Sequence, residues 1–168
     1  MVCMTPKVEF TPTQRAILIL LNSEDRNGIK YSPIPGRIHL IKELFAICQN
    51  DLGKKILPEL KFEPDNFGPY DETIFAALDS LRDSGYVSFD NTSNSVKIQL
   101  TNKGKEVSDN LWVRLRDDIK ILFSYTKRNL NHLSSERVLD KIYSAYPEMA
   151  VNSMSKVAEK YRPKNSSI

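Results

Sequence analysis

The chain has 168 residues, of which 40% are hydrophobic and 27% charged, and its formal net charge is +3. That length suits one domain, or one domain with a helical extension, and the apolar share is enough for a real core. So small a charge does not by itself argue for a polyanionic partner, and no apolar run approaches the roughly 20 residues that a membrane span needs. The first six residues lack a basic segment followed by an apolar one, so no secretory signal is expected. Two cysteines, Cys3 and Cys48, do not make a disulfide framework. Cys48 falls on an apolar helix face and reads as a buried, inert thiol, with Cys3 in a frayed end. A reducing cytoplasm is the expected location.

Residues 1–10 read as irregular. Thr11-Pro12 then supplies an N-cap followed by proline at the first helical position. The density of Ile17, Leu18, Ile19, Leu20 and Leu21 implies a helix buried on more than one side. It ends near Asn22-Ser23, before a polar loop. Pro33 and Pro35 exclude a helix there. A second helix over 36–50 carries Leu40, Ile41, Leu44, Phe45, Ile47 and Cys48 at helical spacing, with Arg37, His39, Lys42 and Glu43 on its remaining faces. Asp51-Leu52-Gly53 reads as its end, and Pro58 as a breaker. Alternation over 60–63 predicts a short strand that pairs with a later hairpin and turns Leu60 and Phe62 inward.

After the turn Phe67-Gly68-Pro69-Tyr70, whose aromatics are expected to anchor it in the core, a third helix is expected over 71–84. Asp71 caps it, Ile74, Ala77, Leu78 and Leu81 form its buried stripe, and Gly85 stops it. Alternating segments at 86–90 and 95–100, joined by Asn91-Thr92-Ser93-Asn94, predict a hairpin. Thr101 caps a helical stretch over 102–129, either one helix or two with a bend near Arg116-Asp117-Asp118. Val107, Leu111, Leu115, Ile119, Leu122 and Thr126 mark its stripe, widened by Trp112, Ile121, Phe123 and Tyr125. That face is expected to pack on residues 130–168 or on another subunit. Leu111, Trp112, Leu115, Ile119 and Leu122 are the candidate dimer residues, and Trp112 reads equally as core. A helix over 136–145, capped by Ser134 or Ser135 and stopped at Tyr146-Pro147, and a last helix over 153–161 complete the chain.

Helix, hairpin, helix is the second half of a winged helix. The expected fold is therefore α+β: a winged helix in the order helix-helix-strand-helix-strand-strand over 11–104, a long C-terminal helical extension over 105–162, and a disordered tail at 163–168. Leu100-Thr101-x-x-Gly104 after the hairpin resembles the wing and following helix of prokaryotic winged-helix proteins. Gly36-Arg37-x-x-Leu40-x-Lys42-x-Leu44-Phe45, Phe67-Gly68-Pro69-Tyr70 and Ile142-Tyr143-x-x-Tyr146-Pro147, taken in order, resemble a group of archaeal winged-helix proteins over roughly residues 12 to 147. The region of Lys42-x-Leu44-Phe45 is similar to antitoxin-like domains of toxin–antitoxin systems. The resemblance implies a fold more than a function.

Catalytic chemistry is not expected. The glycines fall singly at turns or helix ends, so none forms a phosphate cradle. His39 and His132 stand far apart in sequence, outside any ligand-spaced motif, and the adjacent Asp117 and Asp118 point differently on a helix. Neither cofactor nor metal is implied. The leading expectation is a winged-helix transcriptional regulator that binds double-stranded DNA, which the fold resemblance implies. Arg37, Lys42, Arg82 and Lys97 would then contact phosphates, and Thr73, Ser80 and Arg82 on helix 71–84 would reach bases. Charge opposes this reading. Helix 71–84 carries Asp71, Glu72, Asp79 and Asp83 against Arg82, and residues 61–100 hold three basic and seven acidic side chains, which a phosphate backbone repels. The competing expectation is a protein-interaction module, antitoxin-like or a complex subunit, that uses the acidic helix to meet a basic partner.

Overall fold

The reciprocal cap at Thr11 fixes where the first helix starts. Its hydroxyl accepts from Gln14 N–H while the Gln14 side chain accepts from Thr11 N–H, and Pro12 follows. The computed structural model describes residues 9–161. Cys3 and the expected tail at 163–168 lie outside the described residues. Helix α1 (Pro12–Asn22) leads to α2 (Arg37–Cys48), α3 (Asp51–Ile56), β1 (Glu63–Asp65), β2 (Gly68–Tyr70) and α4 (Glu72–Asp83). The hairpin β3 (Val87–Asp90) and β4 (Lys97–Leu100) follows, then α5 (Asn102–Val113), α6 (Asp117–Leu130) and α7 (Ser135–Ala145). Pro147–Ala150 and Lys156–Tyr161 are 3-10 turns. The architecture is mixed α+β. No helix among the described residues is long and apolar enough to cross a membrane.

Three expectations need correction. The strand expected over 60–63 does not pair with the hairpin. β1 begins at Glu63 and pairs with β2 in a separate antiparallel sheet, while Leu60 and Phe62 are half-buried against the core. The hairpin's outside partner is Ile34, which exchanges both backbone hydrogen bonds with Ile98 at 2.9 Å each. Pro33 and Pro35 keep Ile34 extended, so one residue serves as a strand. Second, a short α3 occupies the stretch read as a helix end, because the Asn50 side chain caps it by accepting from Leu52 N–H. Third, residues 153–161 form a 3-10 turn at 156–161 rather than a full helix.

The stretch 102–129 takes the two-helix form. Arg116 is extended (ψ 149°) and starts α6. The apolar stripe packs on α1 through both α5 and α6, and α6 also lies against α2. It is thus spent largely on the chain's own first half rather than on residues 130–168. Helix α7 covers another side of α2 with a second cluster of Phe45, Val138, Leu139, Ile142 and Tyr143. Helix α2 is consequently enclosed, and His39, Lys42 and Glu43 are buried instead of facing solvent.

Thr101 joins α5 to the end of α4. Its hydroxyl donates to Gly85 C=O (2.6 Å) and accepts from Gly104 N–H (3.0 Å), and its N–H donates to Tyr86 C=O (3.1 Å). A β-carbon on Gly104 would stand 1.9 Å from that Tyr86 carbonyl oxygen. Only glycine fits this close approach, which explains the glycine of the Leu-Thr-x-x-Gly motif. Gly104→Ala is expected to destabilise the chain by about 1–3 kcal/mol, read as a lower urea midpoint.

Candidate interaction surface

Helix α4 starts where Asp71 accepts from Thr73 N–H (2.8 Å) and from Lys61 N–H (2.6 Å). Its inward stripe is Ile74, Ala77, Leu78 and Leu81, as expected. The outer face carries Glu72, Ala76, Ser80 and Asp83, all exposed, beside the half-buried Thr73 and Asp79. Gly85 (φ +82°) ends the helix in the left-handed conformation and releases β3.

Strand β3 sets Phe89 next to the last turns of α4. The Arg37 guanidinium lies 5.2 Å from the Phe89 ring centre and 5.2 Å from that of Phe75, and Arg82 lies 5.3 Å from Phe89. Both arginines reach the same carboxylate oxygen of Asp79, at 3.0 and 3.6 Å. Two cations are therefore laid on aromatic faces and share one anion. Gly36, Arg37, Arg82, Phe89, Asn91 and Ser95 line a groove of about 510 Å³ here. Gly36 caps α2 without a side-chain hydrogen bond. Asp90, beside the groove, is held below the usual carboxylate range by hydrogen bonds from the Thr92 hydroxyl and N–H, so it stays ionised.

The structure brings Arg37 and Arg82 together and leaves Lys97 exposed on β4, in register with Asp90. Ser80 accepts from the Gln14 side chain (3.1 Å), toward the start of α1. Lys42 does not join this surface. It is buried, it donates to Pro69 C=O at 3.0 Å, and desolvation pulls its ammonium down to about 7. His39 is likewise inside, with Nε2 2.7 Å from Leu133 C=O and burial lowering its pKa. Of the four side chains expected to contact phosphates, Lys42 is thus withdrawn, and Arg37 is paired with Asp79 on α4.

Lys42 belongs instead to a packing knot where the three quoted motifs meet. A β-carbon on Gly68 (φ +92°) would lie 3.1 Å from Lys42 Cε, Leu139 Cδ2 and Tyr143 Oη alike. Phe45 meets Tyr146 edge-on with ring centres 5.2 Å apart, and Tyr143 Oη donates to Ser153 Oγ (2.7 Å). The motifs that carry the resemblance therefore hold α2, the β1–β2 turn and α7 together. Tyr70 anchors the turn as expected, edge-on to Phe75 at 5.4 Å. Phe67 does not, being 52% exposed. Burial pushes the Cys48 thiol up to about 12, which makes it inert.

The candidate dimer residues Leu111, Trp112, Leu115, Ile119 and Leu122 are half-buried against the main core. Leu111, Leu115 and Ile119 also line an apolar groove of about 420 Å³ with Ala16, Ile19 and Ile56. Sequence reasoning missed the clamp by Asp79. The spacing of Asp79 and Arg82, three residues apart on a helix, was the signal that could have found half of it. Arg37 arrives from a different helix and left no local trace. Among the described residues, no group of three or more His, Cys, Asp or Glu side chains is placed to hold a metal ion. No protein-family model matches the chain, and no curated protein matches it.

Proposed function

We propose that the chain is a protein-interaction module on a winged-helix frame, and that the outer face of α4 with the Arg37–Phe89–Arg82 groove receives a basic segment of its partner. Element order supports the frame. Helix α1, the Ile34 bridge, α2, α4 and the β3–β4 hairpin follow one another, with Ile34 pairing to β4 and with α3, β1 and β2 inserted before α4. The strand lies between the first two helices rather than after the second. The buried free thiol of Cys48 fits a reducing compartment such as the cytoplasm.

One observation carries the choice of partner. The cations best placed for phosphate, Arg37 and Arg82, are turned onto Phe89 and share Asp79, while Glu72 and Asp83 stand exposed. A duplex approaching α4 meets carboxylates first. A basic peptide meets attraction and an aromatic platform. The resemblance to antitoxin-like domains fits a protein partner. DNA remains the second reading, because Arg37 stands at the first residue of α2, beyond a glycine cap with no side-chain bond, and Lys97 is exposed on β4.

The test compares the wild type with Asp79→Lys/Asp83→Lys. Wild-type protein is expected to leave random duplex DNA unbound even at low salt, and as bait to retain a basic protein that the double variant holds about tenfold more weakly. Salt-sensitive DNA binding by the wild type, tightened in the double variant, would overturn the protein reading in favour of DNA.

A further inference from the structure

Helix α6 has two unlike faces. Phe123, Thr126, Lys127 and Leu130 are buried against α1 and α2. On the outside, Ile121 and Tyr125 are each 67% exposed, a costly arrangement for large apolar groups on neighbouring turns of one helix. Ser124 lies between them. Lys120, Ile121, Ser124, Tyr125 and Arg128 bound a shallow concavity of about 350 Å³. The charges around it are ordered along the helix, with Asp117 and Asp118 at the N-terminal end and Arg128 near the C-terminal end. Asp117 has a side chain 96% exposed and makes a loose ion pair with Lys120 at 4.0 Å.

From this order we infer that α6 pairs antiparallel with α6 of a second copy of the chain, about a two-fold axis passing midway between Ile121 and Ser124. A two-fold interface brings one patch against itself, so the patch must be self-complementary. This one is complementary in the antiparallel sense alone. Asp117 then faces the second copy's Arg128, Lys120 faces its Tyr125 ring, and Ile121 faces its Ser124. A parallel pairing would set Asp117 against Asp117. The small Ser124 side chain opens the gap into which the opposing Ile121 packs. Lys120 over the opposing Tyr125 adds a cation–π contact. Arg128 already reaches Glu24 at 3.0 Å with its side chain 52% exposed, which leaves its outer donors for a second carboxylate. This surface is distinct from the Leu111–Leu122 stripe, which is packed inward, and it stands independently of the partner proposed for α4.

Sedimentation velocity of the full chain over a concentration series tests the pairing. The wild type is expected to pass from monomer to dimer. Asp117→Arg alone and Arg128→Asp alone should each weaken the dimer by about tenfold, and Asp117→Arg/Arg128→Asp should restore it, because exchanging the charges recreates both contacts. Circular dichroism checks that each variant keeps its helices. A wild type that stays monomeric throughout overturns the inference. So does a dimer indifferent to Ile121→Glu and to the single charge changes, which would place the contact elsewhere.

Discussion

Lys127→Met is expected to remove about 3–5 kcal/mol of stability, because three buried carbonyls lose their common donor. Lys127 is completely buried. Its Nζ donates to the carbonyls of Leu21 (3.0 Å), Ser23 (2.8 Å) and Ser32 (2.7 Å). Leu21 and Ser23 sit at the C-terminal end of α1, where carbonyls lack helical partners and the helix dipole is negative. Ser32 lies in the loop that delivers Ile34 to β4. One ammonium therefore ties α6 to the end of α1 and to the bridge strand. Burial pulls its pKa from 10.5 to about 8, so it is still charged at neutral pH, as three accepting carbonyls require. Methionine preserves the stem and withdraws all three donors. Each buried carbonyl left unpaired costs about 1–3 kcal/mol, part of which entering water recovers. Against a total stability of about 5–15 kcal/mol, the variant should show a strongly reduced urea midpoint at neutral pH. A change below about 1 kcal/mol would mean that the stem, and not the ammonium, joins these elements.

Why Lys127 could not be read in advance shows what the sequence does and does not encode locally. Four helix starts were legible because a cap is made by adjacent residues, whereas the equally local cap of Asn50 on Leu52 was masked by the helix that ends just before it. Thr11 with Gln14, Asp71 with Thr73, Thr101 with Gly104 and Ser134 with Arg137 each close within three positions. The hairpin was legible because alternation extends over several residues. Ile34 was not, since a strand of one residue has no alternation and exists only through Ile98. The polar residues of α2 read only as its remaining faces, because an isolated helix shows one apolar stripe. Whether a second layer covers its other side depends on α6 and α7, more than 65 residues further along. The same holds at the candidate surface. The acidity of α4 was visible in the string of residues, and it remains the basis for the partner reading. That Arg37 and Arg82 would be drawn onto Phe89 by Asp79 depends on three elements meeting.

The companion of Lys127 in the interior gives the sharpest pH test. Glu43 is fully buried, and neither of its carboxyl oxygens has a hydrogen-bond partner. Desolvation raises its pKa well above the ordinary 4.5, and the positive charge of Lys127 only partly opposes this. The folded chain thus keeps a proton that the unfolded chain has released above about pH 4.5. The native state binds more protons there, so stability falls as pH rises from that point toward the folded pKa. Each pH unit in this window costs about 1.4 kcal/mol. Glutamine has nearly the same shape and no proton to lose. Glu43→Gln is therefore expected to match the wild type near pH 4.5 and to exceed it progressively as pH rises toward the raised folded pKa of Glu43. Lys42 contributes in the opposite sense. Its folded pKa of about 7 lies below the ordinary 10.5, so its share of stability rises with pH between those values. That share is common to both proteins and cancels in the difference. Urea unfolding of the two proteins from acid to mildly alkaline pH gives the comparison. A gap that already widens between acid pH and neutrality supports a neutral Glu43, because Lys127, with its pKa of about 8, keeps its charge in that range. A Glu43→Gln protein that is less stable than the wild type at neutral pH would show the reverse: an ionised Glu43 that steadies Lys127 across the interface of α2 and α6, and whose loss leaves that ammonium without its counter-charge.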